Sequence, residues 1–261
     1  MKKTILLLFT TVFLGCQTNP SNKVMADFDW PEEKLPFFEV IHMQPKNHEM
    51  GNFLKNIKEH NEIYHNKVAG VNTFIRYISS GKYAGQYQWI EGPMSMEYLD
   101  NKLQIKGHQE HWQENVQPYV NDKGVNHINT PSNYYRVLSH LANKKVYDFT
   151  SGEKPTKFLK IQQLDVKQGK MWDVLKILNN WAESDFAVDY SVIMPFVNDG
   201  TGNDISIVWH FDSMSQADTF LPGVIRDGLD ARFEVKGRQK ILKSMGELVT
   251  YNGEFIAQIV E

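Results

Sequence analysis

The stretch Phe37-Phe38-Glu39-Val40-Ile41-His42-Met43-Gln44 decides the fold once it is set against Lys157-Phe158-Leu159-Lys160-Ile161-Gln162-Gln163-Leu164-Asp165-Val166. Both read as short strands. Pro45 ends the first. A helical pattern follows each: Met50, Phe53, Leu54, Ile57, Asn61 and Tyr64 in one place, Met171, Val174, Leu175, Leu178, Ala182 and Asp185 in the other. Asn47 suits the N-cap of the first helix. The two sets superpose at a constant offset of 121 residues, with Phe38 on Leu159, Val40 on Ile161, Met50 on Met171, Leu54 on Leu175 and Ile57 on Leu178.

The parallel continues outward from there. Val71–Ile78, a turn at Ser80-Gly81-Lys82 and Gln86–Glu91 form a hairpin pattern. Asp189–Phe196, a turn at Asn198–Gly202 and Asp204–Phe211 form another, and Trp89 and Trp209 take matching places in the two. Helical stretches follow, near His108–Tyr119 in the first half and at Ser215–Leu221 and Leu229–Met245 in the second. Closing strands are expected at Tyr134–Leu138 and Leu248–Tyr251, with Phe255–Val260 as an extra strand. Each half therefore reads β-α-β-β-α-β, the ferredoxin-like unit. Val40/Ile41, Phe74/Ile75, Trp89/Ile90 and Ile207/Val208 make both strand faces apolar, so the face away from the helices needs a cover.

This element order resembles the dimeric α+β barrel superfamily, which includes antibiotic-biosynthesis-monooxygenase-like and NIPSNAP-like domains. The resemblance spans about residues 36–261 and rests on pattern, with no diagnostic motif. It implies an α+β fold of two ferredoxin-like halves, 36–150 and 151–261, packed as a fused dimeric α+β barrel. Two independent ferredoxin-like domains joined near Thr150–Pro155 are the alternative.

The N-terminus carries a different signal. Lys2 and Lys3 precede the apolar run Ile5–Leu14, which is shorter than the roughly 20 residues that span a bilayer. That is the form of a secretory leader, residues 1–15. Phe13-Leu14-Gly15-Cys16 resembles the bacterial lipobox, although the family more often has Leu, Val or Ile where Phe13 stands. The resemblance implies lipidation at Cys16, the one cysteine of the chain, and a membrane contact through the N-terminal lipid. Residues 16–35 read as a flexible tether. The expected location is the cell envelope, lipid-anchored, at the outer membrane facing the periplasm or at the cell surface.

Apolar residues at 41% and charged residues at 23% of 261 describe an ordinary globular protein and exclude a disordered or collagenous one. A net charge of −3 argues against a nucleic-acid partner. Thiol chemistry leaves the field with Cys16. No phosphate loop, dinucleotide-binding glycine motif, nucleophile elbow or zinc-protease motif occurs.

The remaining chemistry candidates are polar groups set in apolar runs. His42 lies on the first strand, Arg76 and Tyr77 on the first hairpin, and Arg136 on the closing strand of the first half. Trp209 and His210 lie on the second hairpin. These are the candidate ligand-binding or catalytic residues. A buried arginine needs a partner, either structural or an anionic ligand. His108 and His111, three apart, share a helix face and form a weak candidate metal pair; the ordinary alternative is a solvated face beside Trp112.

The reading that follows is a tethered lipoprotein whose barrel cavity binds a small, partly apolar ligand. A cofactor-free oxygenase or isomerase of the monooxygenase-like superfamily is the alternative, and an envelope-complex interaction protein the second. No cofactor is expected. A related branch, similar to chlorite dismutase, binds haem through a histidine of its second half. Here His210 is the one histidine after His140 and sits on a strand, whereas that family's ligand lies on a helix. A monomer suffices, because two halves can pair within one chain.

Overall fold

Side chains on a strand alternate between the two faces of a sheet, so strands that are apolar on both faces must be covered on both. In the computed structural model the chain meets this demand by closing its sheet. The structure describes residues 35–66, 71–95, 97–98, 100, 105–121, 133–143, 156–196, 203–218, 221–233 and 235–260. The leader, Cys16, the tether up to residue 34 and the Thr150–Pro155 joint lie outside these residues.

The strands are β1 (Phe37–Met43), β2 (Asn72–Gly81), β3 (Tyr87–Met94), β4 (Asn133–Val137), β5 (Phe158–Val166), β6 (Tyr190–Pro195), β7 (Ile205–Phe211) and β8 (Val249–Ile259). They form one closed antiparallel barrel in the order β1-β3-β2-β8-β5-β7-β6-β4. The first four strands run β4-β1-β3-β2 and the last four β8-β5-β7-β6, the same spatial order twice. The two sets meet at β2–β8 and β4–β6. The fold is thus mixed α+β around an eight-stranded barrel.

Phe38, Ile90 and Val137 fill one part of the barrel interior, and Ile78, Ile161, Val208, Phe255 and Ala257 another. Helices cover the outside. On the first half lie α1 (Met50–Tyr64) and α2 (His108–Asn115). Phe53 and Ile57 of α1 and Trp112 of α2 pack there on Ile41, Met43, Ile75, Tyr87 and Trp89. On the second half lie α3 (Met171–Ala182), α4 (Met214–Ala217), α5 (Leu221–Arg232) and α6 (Val235–Leu248). They cover a larger core that includes Leu175, Leu178, Trp181, Phe186, Tyr190, Trp209 and Leu229. Ser213 caps α4, its hydroxyl accepting from the Gln216 amide.

Three expectations are revised. Leu248–Tyr251 and Phe255–Val260 are one strand, β8, bent where its register against β5 shifts at Gln163/Leu164 and where Gly253 takes φ +115°. The second-half helices break near residue 233, not before 229. Trp89 and Trp209 are not counterparts: Trp89 pairs with Ile41, but Trp209 pairs with Lys160, the residue that corresponds to Glu39. Glu39 pairs with Glu91, so Trp209 stands where the first half has Glu91.

Candidate metal centre

Four histidines meet where the end of α1 approaches the start of α2, on the outer face of β3. His60 lies in the last turns of α1, and His65 is its C-cap, where the backbone leaves the helix at φ −111°, ψ −56°. Gly107, left-handed at φ +82°, starts α2 and presents His108 and His111. His108 Nε2 lies 3.2 Å from His60 Nε2 and 3.0 Å from His65 Nε2. Ligand atoms of His60, His65 and His108 all fall within 4.8 Å of one another. Exposure is 0% for His60 and His65 and 4% for His108.

The surrounding groups fix the rings. His65 Nδ1–H donates to Glu91 Oε1 at 2.5 Å, and the Tyr98 hydroxyl donates to the same oxygen at 2.8 Å. Burial and the Glu91 charge push the Tyr98 phenol well above its usual range, so it stays a donor. His60 Nδ1 faces His111 Nδ1 at 3.1 Å. Trp89 Nε1–H donates to Asn61 Oδ1 at 2.8 Å, and the rings of Trp89 and Trp112 pack against His65 and His60.

This geometry suits a metal ion. With its Nδ1 proton committed to Glu91, His65 turns an Nε2 lone pair inward. His108 Nε2 faces two other Nε2 atoms, so in neutral rings a single proton must serve both contacts. A cation in that place would satisfy all three lone pairs. Tetrahedral zinc, with Zn–N of about 2.0–2.1 Å, sets its nitrogens about 3.3–3.4 Å apart, close to the spacing here. The His65–Glu91 contact is the outer-shell bond that ligating histidines commonly make.

The second half supplies a comparison within the chain. At the offset of 121, His60 corresponds to Trp181 and His65 to Phe186, and the pairing above places Trp209 opposite Glu91. Trp181, Phe186 and Trp209 are all buried, with ring centroids 5.9 and 6.3 Å apart around Phe186. Gly228 of α5 approaches Phe186 so closely that a Cβ there would lie 2.1 Å from its ring. The same architectural position can thus be filled by aromatics. Three imidazoles and a carboxylate in the first half cost desolvation that this packing does not require.

The residues singled out in the sequence fall in several places. His42, Arg76 and His210 point into the barrel. His42 contacts Gln86 Oε1 at 3.3 Å and the Gln88 amide nitrogen at 3.1 Å, and burial lowers its pKa. His210 Nδ1 meets Thr156 Oγ1 and its Nε2 meets Ser191 Oγ, both at 3.1 Å. Burial, and then the Arg76 charge, pushes the His210 pKa down to about 3. Tyr77 and Trp209 lie outside, Tyr77 against Tyr87 and Trp209 in the second-half core with its Nε1–H on Gln162 Oε1. Arg136 is also outside, 5.3 Å from the Phe37 ring and 4.8 Å from that of Phe196. His108 joins the histidine cluster, and His111 borders it through His60. His60, His65 and Glu91 were missed. Residues five apart do not share a face of a regular helix, so His60 and His65 gave no spacing signal.

No family model matches the sequence, and no curated protein matches it. Solved structures do match in fold. A "putative chlorite dismutase" aligns at TM-score 0.54 and 7% identity, covering 87% of this chain and 96% of the other. A "putative monooxygenase" from Fusobacterium nucleatum subsp. nucleatum ATCC 25586 aligns at TM-score 0.52 and 9% identity, covering 87% and 93%. A "novel heme-binding protein" from Thermus thermophilus aligns at TM-score 0.46 and 11% identity, covering 87% and 91%. The chain has the monooxygenase-like barrel fold.

The expectation that the chain carries no cofactor is corrected. Its barrel is shared with a protein named for chlorite dismutase, and its own His60, His65 and His108 form a group able to hold a metal. Among the described residues of the second half, none is a histidine placed on a helix to hold haem. Both ring nitrogens of His210 are engaged, and α3 to α6 contain no histidine. His60, His65 and His108 converge on one point, whereas haem takes a single axial imidazole on a face.

Proposed function

We propose that the protein is an enzyme of the monooxygenase-like barrel superfamily, of oxygenase or isomerase type, acting at one metal ion held by His60, His65 and His108. The barrel is read as two ferredoxin-like halves fused in one chain, in line with the strand order that repeats between them. The observation that carries the catalytic reading is the convergence of three buried Nε2 atoms at 3.0 and 3.2 Å. The names of the structural neighbours favour an enzyme over a binding module. Three neutral imidazoles would hold a divalent ion without cancelling its charge, and three protein ligands is the number that catalytic zinc sites use. Such an ion can polarise an oxygen atom or bind a small reactant directly.

Elemental analysis of protein produced with transition metals supplied tests this. About one equivalent per chain is expected, as for a single three-histidine site. His60→Ala, His65→Ala and His108→Ala should lose it, and His48→Ala, on an exposed turn, should keep it. Metal content unchanged in all three variants would overturn the proposal.

The N-terminal segment we read as a lipoprotein leader with lipid on Cys16, which supports a membrane-tethered enzyme of the cell envelope. Cys16→Ser should move the protein from the membrane to the soluble fraction; persistence in the membrane would exclude this anchor.

A further inference from the structure

Resting on the metal reading, we propose that the ion at His60, His65 and His108 also fastens the front of α2 to α1, so that the docking of α2 depends on metal. The ligands come from two segments far apart in sequence. His60 and His65 close α1, and His108 opens α2. The buried side chains of α2 are His108 and Trp112, and its other residues are exposed or half-exposed. No side chain caps its N-terminus. A helix of eight residues is marginal by itself in water and is held by what it packs against.

The two ends of α2 are held differently. Behind it, Val116 and Val120 are buried in the first-half core. The Lys46 amide donates to the Tyr119 carbonyl and the Asn121 amide to the Gln44 carbonyl, which ties this end to the segment after β1. In front, the first turn buries His108, whose Nε2 meets His60 and His65. His111 adds its contact to His60 Nδ1, and the Tyr64 ring lies 5.4 Å from that of His108. The front of α2 is therefore joined to α1 by histidine and tyrosine rings, and through His65 and Glu91 to β3. An ion bound by all three ligands turns opposed lone pairs into one cross-link, so that metal binding becomes folding free energy for this region. The second half closes its sister position by contact, where Phe186 packs between Trp181 and Trp209. The first half closes it by coordination. Lifting the front of α2 removes His108 from the ion. Metal at 100 times its Kd should then make that opening rarer by up to about 100-fold.

The test is amide hydrogen exchange of the full soluble chain, with Zn(II) in excess and after treatment with a chelator. Peptides covering 105–116 and 57–66 should exchange up to about 100-fold more slowly with zinc. Peptides covering α3 and β7 should not change. His108→Ala should exchange at 105–116 at the metal-free rate whether zinc is present or not. His65→Ala, which leaves α2 itself intact, should do the same. The parent chain with and without zinc decides the matter even if both variants fail to fold. Bound zinc that leaves exchange at 105–116 unchanged would overturn the proposal. So would slowing of equal size in both halves, which would assign the ion to the stability of the whole barrel. If elemental analysis finds no zinc bound, the metal reading fails, and this proposal with it.

Discussion

Glu91 accepts two hydrogen bonds on one oxygen, from His65 and from Tyr98. The first fixes which nitrogen of His65 carries the proton, and hence which faces the other histidines. Removing the charge while keeping the shape isolates this role. Glu91→Gln is expected to weaken metal binding by about 10–100-fold, the usual effect of losing an outer-shell partner. Competition against a chromophoric chelator measures it, and an unchanged affinity would assign Glu91 to packing alone. At this scale the sequence showed only part of the site. His108 and His111 stood out because three residues separate them on one helix. His60 was hidden beside the apolar stripe of its helix, and His65 is set by a helix end. Glu91 acquires its meaning from a strand pairing that local sequence does not display.

The elements were more legible than the site. β1 and α1, and β5 and α3, follow from periodicity alone, and their 121-residue offset survives in the structure at Phe37/Phe158 and Met50/Met171. The offset fails at the hairpins because the loops differ in length. There the register against the neighbouring strand decides the match, and it sets Trp209 against Lys160. Two tryptophans in similar local sequence therefore face different surroundings, and only long-range pairing separates them. Tyr77 and Trp209 were expected near a ligand, yet alternation sends both outward under helices. His210, one residue further along β7, goes inward for the same reason. The extra strand merged with β8 because a glycine at positive φ can bend a strand without ending it.

At the scale of the whole molecule, closure of the barrel buries polar groups that an open sheet would leave wet. His210 shows the consequence. Its pKa falls from the ordinary 6.5 to about 3 in the folded chain. Between those values the unfolded chain takes up a proton that the folded chain refuses. The contribution of His210 to stability is therefore complete above pH 6.5 and shrinks as the pH drops toward 3. Urea midpoints across this range should decline, and His210→Gln should decline less steeply than the parent. An equal slope in both would trace the acid sensitivity to other groups.

The unequal filling of the two halves has an optical consequence. Trp89 and Trp112 ring the histidines, with centroids 5.1 Å from His65 and 5.4 Å from His60, while Trp181 and Trp209 occupy the sister position in the other core. A paramagnetic ion among the histidines would quench the first pair at contact range, whereas the second pair belongs to a separate core. The chain thus carries a fluorescent probe and its internal reference in one fold, and occupancy could be followed by emission without any added label.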